Sequence, residues 1–416
     1  MSGWATHIMY GKETYNLFDA FLCFWRNVVI FVTNLSNMKY LKIHNFGPIK
    51  EINLQLKGYN FFIGGQGVGK STLAKLLSIV SDYNLYFHLT HPTPIKKWND
   101  FLRDYAIQDF SKENSVIEYQ ETGLYQDTNG TKEYTLSFYV KNENTSVEMK
   151  CENDIVTGSK FDYILSRIIA GRKQTAEFRS KPKKSLENII DFQIEILRDS
   201  LYIPAERIMY ASFTKLLPAL NLVQETISKN LLYFSIDYNN AKSHLDKYTI
   251  PMLGIDFVHE KEDDYIILAN EKRLPLKVAS SGMQSVIPLL LTLDYATTQK
   301  HYHSYVIEEP ECNLFPKNQI QLIDSILQFV QRIDSCLSIT THSPYIINYL
   351  NLLIRRHYRQ KGNGINPEQL TAYYINDSGE ATDLMAIDNQ TKEIIVNTID
   401  LSETMGNIYN EYSSLK

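Results

Sequence analysis

A glycine-rich run between two apolar segments constrains this chain more than any other feature. Residues 61–78 read FFIGGQGVGKSTLAKLLS, with four glycines within six residues, followed at once by Lys70, Ser71 and Thr72. The run fits the P-loop pattern Gly-x-x-x-x-Gly-Lys-Ser, which binds phosphate. The residues before it predict a short buried strand, and residues 70–80 are apolar at helical spacing. Strand, loop and helix together argue against a glycine-rich turn that merely precedes Lys-Ser.

Each residue type in this run has a physical reason to be there. Glycines let successive backbone N–H groups turn inward as an anion-binding nest, and the helix that starts near Gly69 adds its positive dipole end. Lys70 is expected to reach the β- and γ-phosphates of a nucleotide, and the Ser71 hydroxyl to bind Mg²⁺. The predicted nucleotide-binding residues here are Gly64, Gly65, Gln66, Gly67, Val68, Gly69, Lys70, Ser71 and Thr72.

Composition limits the other partners. The 416 residues suffice for about two to three domains of roughly 150 residues each. A net charge of -5 gives no overall attraction to nucleic acid or anionic membrane, so DNA contact would need a local patch. Residues 172–184 carry six basic residues and are the candidate patch, although such runs are usually solvated loops. The four cysteines show no paired metal spacing, which indicates reduced thiols and a cytoplasmic location.

The first 37 residues differ from the rest of the chain. The apolar segment 21–32 is shorter than the about 20 residues of a membrane span, and Arg26 and Asn27 interrupt it. It also lacks the charge pattern and cleavage site of a secretory signal. Since the sequence from Met38 onward resembles a natural domain start, residues 1–37 are either an appended helix or, as we favour, not native. No membrane partner is expected.

The rest of the chain divides into two parts of one nucleotide-binding core around an insertion. Residues 38–84 hold three short strands, the P-loop and its helix. Residues 85–200 contain no phosphate motif and are predicted to form an insertion or lid. Residues 201–416 carry the remaining motifs of the site.

An acidic strand end supplies the chemistry that a phosphate loop lacks. The segment 305–316, YVIEEPECNLFP, predicts a buried strand that ends in two carboxylates. Glu308 is expected to hold the Mg²⁺ shell, and Glu309 to polarise the attacking water as general base. The alternative is a strand that simply ends in solvated acids.

Two further motifs complete the set. SSGMQS at 280–285 places Ser281 and Gly282 at a helix N-terminus, where they serve either a phosphate or a plain N-cap. ITTHSP at 339–344 places His342 at a strand end, where it can donate a hydrogen bond to the γ-phosphate and respond to its loss. A purely structural histidine is the alternative.

The order P-loop, PAER, SSGMQ, VIEEPE, THSP resembles ABC-type ATPases of the SMC/RecF/OLD-like branch, from Met38 to the end of the chain. The resemblance implies an α/β P-loop NTPase fold of ABC ATPase head type, with an antiparallel β subdomain and an α-helical subdomain. It implies ATP and Mg²⁺ as ligands and a homo-oligomer, at minimum a dimer of heads. One head would contribute the P-loop, Glu308, Glu309 and His342, and the other Ser281 and Gly282.

Three departures from the family pattern bear on the expected rate of ATP hydrolysis. Met283 stands where transporters prefer glycine, Glu308 where many ABC proteins have aspartate, and Phe315 where a histidine is common in this branch. We therefore expect a slow ATPase. Gln108 is the candidate for the glutamine of the Q-loop. Arg207 is expected either to touch the nucleotide or neighbouring head, or to form a structural ion pair.

The absence of fused effector motifs predicts the biological role. No membrane domain, coiled-coil heptads or nuclease-like acidic constellation is apparent. The chain resembles AAA-family ATPase subunits of two-gene anti-phage systems, first that of PARIS and second that of Septu, in which a sensor or scaffold acts with a separate effector nuclease. The alternatives are a RecF- or SMC-like DNA-binding repair ATPase, and an ATP-dependent assembly module that does not hydrolyse ATP.

Overall fold

A computed structural model describes the chain from Met38 onward, with gaps. It describes residues 38–90, 96–127, 130–142, 144–152, 154–172, 198–212, 228–245, 247–261, 263–299, 302–333, 335–398, 410–411 and 413–414. The extension predicted at 1–37 and nearly all of the basic run at 172–184 lie outside these residues. Both therefore stay predictions.

Helices follow the apolar periodicity of the sequence. They are α1 Lys70–Val80, α2 Tyr83–Thr90, α3 Trp98–Asp104, α4 Ser159–Arg172, α5 Ile208–Ser212, α6 Lys229–His244, α7 Ser281–Gln299, α8 Pro316–Val330 and α9 Pro344–Tyr358. Within the described part of the chain, none of these helices is long and apolar enough to cross a membrane.

Strands form a central sheet, two further antiparallel sheets and one short hairpin. They are β1 Lys39–Phe46, β2 Ile49–Leu56, β3 Tyr59–Gly64, β4 Val116–Asp127, β5 Gly130–Lys141, β6 Asn144–Cys151, β7 Asp154–Val156, β8 Ser200–Ile203, β9 Lys247–Ile250, β10 Ile255–Glu260, β11 Asp263–Leu268, β12 Arg273–Pro275, β13 Ser304–Glu308, β14 Cys336–Thr341, β15 Leu370–Ile375, β16 Ala381–Asp383, β17 Met385–Ile387 and β18 Ile394–Val396.

The central sheet has the strand order β16-β15-β3-β14-β13-β8. All of its strands run parallel except β16, which pairs antiparallel with β15 at one edge. Side chains alternate between the two faces, so Tyr305 and Ile307 of β13 enter one core and Val306 enters the other. Helix α1 packs against β8, β13 and β14, while α7, α8 and α9 belong to the core on the opposite face. Helices on both faces of a mostly parallel sheet confirm the predicted α/β class.

An antiparallel sheet in the order β2-β1-β4-β5-β6-β7 covers the α1 side. Strand β4 pairs directly with β1, with Lys39 opposite Glu121 and His44 opposite Val116. The segment predicted as an insertion at 85–200 thus extends the sheet that the first part of the chain begins. Its boundaries at 84 and 200 stay predictions.

A smaller antiparallel sheet in the order β12-β11-β10-β9 lies on the other side of the molecule. Its apolar residues Phe257 and Ile266 share one core with Val286 and Leu290 of α7. The hairpin of β17 and β18 packs against α9.

Candidate functional site

The P-loop joins β3 to α1 at the carboxyl edge of the central sheet. Its glycines are needed for backbone shape, because Gly67 and Gly69 have positive φ angles of 78° and 104°. A Cβ on Gly64 would lie 2.3 Å from the carbonyl oxygen of Ile375, so only glycine fits there. No side chain caps the N-terminus of α1. A helix N-terminus without a side-chain cap leaves its first N–H groups available to an anion.

Lys70 is buried at the start of α1 and turns back over the loop. Its Nζ donates to the carbonyl oxygens of Gly64 at 3.0 Å and Gly65 at 2.6 Å. The same Nζ lies 3.3 Å from Nδ1 of His342. Burial lowers the pKa of Lys70, and the nearby carboxylates, led by Glu309, oppose this shift.

The remaining predicted residues of the loop differ in exposure. Gln66, Gly67 and Ser71 are exposed, whereas Val68 and Thr72 are buried.

Glu308 is the last residue of β13 and is almost fully buried. Its Oε1 accepts a hydrogen bond of 2.6 Å from the hydroxyl of Tyr202, and the nearby side chain of Ser71 acts to lower the pKa of its carboxyl group. Burial raises the pKa of Glu308 to about 7. A hydroxyl beside a carboxylate is the donor set by which proteins bind Mg²⁺, together with phosphate oxygens and water. In the described residues no cluster of three or more His, Cys, Asp or Glu could hold a metal by itself.

Glu309 follows at once and has the left-handed φ of 41°. Its Oε1 lies 3.0 Å from Nε2 of His342, and its Oε2 accepts a 3.3 Å bond from the thiol of Cys312. Because an ammonium group can only donate, Lys70 fixes the imidazole with Nδ1 as acceptor and Nε2–H as donor. Lys70, His342 and Glu309 therefore form one continuous hydrogen-bonded line.

Glu311 holds the histidine in place, a role that the sequence analysis did not assign. Its buried carboxylate oxygen Oε1 accepts bonds from the Thr341 hydroxyl at 2.6 Å and from the backbone N–H of His342 at 2.7 Å. The signal for this role was the third acid of the motif EEPE.

Ser281 and Gly282 begin α7 beside the loop that carries Glu309. A Cβ on Gly282 would lie 2.9 Å from the carbonyl oxygen of Asn313 and 3.2 Å from Leu314, so glycine permits this close packing. Ser281 is exposed and Gly282 is buried. Their role in the site of a second copy stays a prediction.

Arg207 and Gln108 have surroundings that the sequence did not indicate. Arg207 is fully buried and bonds to backbone carbonyl oxygens instead of the nucleotide space or a carboxylate partner within the described residues. Gln108 lies in the turn Gln108–Phe110, where its amide donates to Asp109 at 3.0 Å. Its Q-loop role stays a prediction.

A family profile described as AAA ATPase domain matches residues 38–347 of the chain. The uncharacterized protein MJ1542 of Methanocaldococcus jannaschii is 24% identical over 249 residues, which cover 56% of this chain. The chain spans only 28% of the length of that protein.

Solved structures of SMC heads are similar at low identity. An SMC head bound to the C-winged helix domain of ScpA gives a TM-score of 0.41 at 13% identity, covering 83% of this chain and 97% of that one. The SMC head domain from Thermotoga maritima gives a TM-score of 0.36 at 10% identity, covering 86% and 98%. An SMC head with an extended coiled coil, bound to the C-terminal domain of ScpA from Pyrococcus furiosus, gives 0.40 at 11%, covering 91% and 100%.

Proposed function

The chain belongs to the AAA ATPase domain family, and on this premise we propose that it binds ATP with Mg²⁺ and hydrolyses it to ADP and phosphate. The observation that carries the proposal is the line from Lys70 through His342 to Glu309. It joins the phosphate loop to a carboxylate that can act as general base, at one edge of the sheet.

ATP binding would replace hydrogen bonds that Lys70 makes within the P-loop. The bonds of Lys70 Nζ to the carbonyl oxygens of Gly64 and Gly65 give way to bonds with phosphate oxygens, while the N–H groups of α1 remain fixed. Ser71 and Glu308 are the residues that would hold Mg²⁺, which supplies neutralising charge to the phosphates when bound.

Hydrolysis requires Glu309 to accept a proton from water. Both of its carboxylate oxygens accept hydrogen bonds, from His342 and from Cys312. Because both oxygens are already engaged by donors, one donor must move before the carboxylate can accept a hydrogen bond from the attacking water. His342 is about one third exposed and is the donor that a phosphate can draw away. This requirement supports a slow ATPase.

We further propose that two copies of the chain close over the nucleotides, as ABC-type heads do. Three large apolar side chains next to the site motifs support this. Val278, Phe315 and Tyr345 are 63%, 77% and 53% exposed. Val278 precedes Ser281 by three residues and Tyr345 follows His342 by three. An apolar residue beside each motif suits a surface that a second copy covers.

For the cellular role we propose a cytoplasmic sensor or scaffold in an anti-phage system, with a separate effector nuclease. The order of motifs supports it, with PARIS as first and Septu as second system. Co-expression with the products of adjacent genes, followed by pull-down, tests the proposal. A stable complex with a nuclease is expected, whereas stimulation of turnover by double-stranded DNA without any such complex would favour a RecF- or SMC-like repair ATPase.

A second candidate is ATP-dependent assembly without turnover, which the double hydrogen bonding of Glu309 favours. Phosphate release by the wild-type protein and by Glu309→Gln, with Mg²⁺ and saturating ATP, separates the two. A hydrolase should release phosphate at least about 100-fold faster than the variant, since the variant lacks the base. Equal release, with ATP bound by both proteins, would contradict hydrolysis.

A further inference from the structure

Arg207 has the most unusual surroundings of any charged residue near the site. It ends the turn Ala205–Arg207 after β8 and is fully buried. Its guanidinium makes five hydrogen bonds, all to backbone carbonyl oxygens. The distances are 3.0 Å to Pro204, 3.1 Å to Ser285, 2.8 Å to Glu308, 2.8 Å to Glu309 and 3.1 Å to Pro310.

A buried guanidinium usually faces a carboxylate, because a charge removed from water must be compensated. Burial lowers the pKa of Arg207, and the acids 308, 309 and 311 only partly offset this. The hydrogen bonds instead grip three successive peptide groups, those of Glu308, Glu309 and Pro310. Such an arrangement holds the path of the backbone, and it does not pair the guanidinium with an opposite charge.

The turn whose carbonyl oxygens bind Arg207 contains the strained backbone of the site. Glu309 has the left-handed φ of 41°, a conformation that is unfavourable for a non-glycine residue and persists only when its surroundings impose it. Arg207 binds the carbonyl oxygen of Glu308 on the N-terminal side of Glu309, and those of Glu309 itself and Pro310 on the C-terminal side. On the other side, the N–H of Glu309 donates to Thr340 at 2.9 Å.

We propose that Arg207 is a positioning residue that holds the turn around Glu309, so that its carboxylate faces the P-loop and His342. This rests on the proposed ATPase function. The bond to Ser285 also ties the first turns of α7, which carry Ser281 and Gly282, to the same guanidinium. One side chain thus anchors both the base and the segment expected to meet a second nucleotide.

The first test is kinetic and uses Arg207→Lys, which keeps the charge and loses the fork of donors. We expect kcat to fall at least tenfold while KM for ATP changes less than threefold, because the P-loop is untouched. In a Glu309→Gln background the same change should have no further effect. Equal losses in both backgrounds would overturn the proposal.

Arg198→Lys is the matched control. Arg198 is also buried, but its Nη2 donates to Asp237 at 2.8 Å, a side-chain partner in a different part of the structure. It should lower stability and leave kcat within twofold. If Arg207→Lys and Arg198→Lys lower kcat equally, the effect of Arg207 is general destabilisation and the proposal fails.

The second test does not depend on turnover. The Cys312 thiol donates to Glu309, and burial raises the pKa of Cys312 to about 12, so the held turn should keep it unreactive. In Arg207→Lys we expect iodoacetamide, followed by mass spectrometry, to label Cys312 at least fivefold faster. Labelling of the buried Cys151 in the same molecules should not change.

These two readouts separate the failure of the positioning role from the failure of the proposed function. Faster labelling without any wild-type turnover would retain the positioning of the turn and reject hydrolysis. Unchanged labelling would reject the positioning role. If Arg207→Lys does not fold, Pro310→Gly loosens the same turn with Arg207 in place. It should give the same two changes, and the absence of both would overturn the proposal.

Discussion

Nζ of Lys70 and Nδ1 of His342 lie 3.3 Å apart, although 272 positions separate the two residues in the chain. The fold itself therefore brings together the lysine of the P-loop and the histidine after β14. A phosphate bound to the loop as proposed would compete with the histidine for the lysine. This competition would link nucleotide binding to Glu309, which contacts the same imidazole.

Lys70→Ala should abolish tight ATP binding. The ammonium group is expected to supply a charge-assisted bond to phosphate, so its loss should weaken affinity at least about 100-fold, or about 2.7 kcal/mol. Titration with a fluorescent ATP analogue measures this. Lys317→Ala, on the exposed start of α8, is the control and should bind as the wild type does. Equal affinities for all three proteins would place the nucleotide elsewhere.

His342→Ala should slow hydrolysis more than it weakens binding. The change removes the imidazole beside Lys70 that is expected to donate a hydrogen bond to the γ-phosphate, but leaves the P-loop intact. We expect kcat to fall about 10- to 100-fold with KM within threefold, as for the loss of a group that acts in the transition state. His357→Ala, exposed on α9, serves as control. A rise in KM alone would show that His342 only binds ATP.

Glu311→Ala should affect stability and activity together. Two donors, the Thr341 hydroxyl and the His342 N–H, would lose a buried carboxylate acceptor, at a cost of about 2–4 kcal/mol. Glu311→Gln keeps an acceptor oxygen in the same place and should recover most of the loss. Urea unfolding and kcat of both variants measure the effect. Full stability in Glu311→Ala would mean that the loop has other support.

Phe315→Glu should prevent ATP-dependent association. The side chain is 77% exposed, so the change should leave the monomer fold intact while placing a charge on the proposed interface. In a Glu309→Gln background, sedimentation with ATP and Mg²⁺ should show dimers that Phe315→Glu lacks. Ile387→Glu alters a similarly exposed side chain, 66% exposed, on the β17 hairpin and should still dimerise. If both variants still form dimers, the interface must lie elsewhere on the surface.

Much of the site could be predicted because parallel strands end at one edge of a sheet. The motifs at the ends of β3, β13 and β14 must lie near one another once those strands are neighbours. Strand order is a different matter, since local sequence does not specify which strands pair. The pairing of β4 with β1 was not predicted for this reason.

The roles of Arg207 and Glu311 could not be predicted from sequence for a related reason. Arg207 bonds to carbonyl oxygens about one hundred positions away, and every residue offers the same carbonyl group. Nothing in the residue types of its partners marks the contact. Glu311 was visible in the sequence as the third acid of its motif. Its hydrogen-bond partners at the end of β14 were not.

The pairing of β4 with β1 has a consequence for how this molecule can vary. Because β1 bonds to β2 on one side and to β4 on the other, residues 116–121 supply the hydrogen bonds that one edge of β1 would otherwise lack. Removing that stretch would expose an unpaired strand edge of β1 that could pair with another chain. Length changes between relatives should therefore gather at hairpin loops such as that between β11 and β12, where additions leave the strand pairing intact.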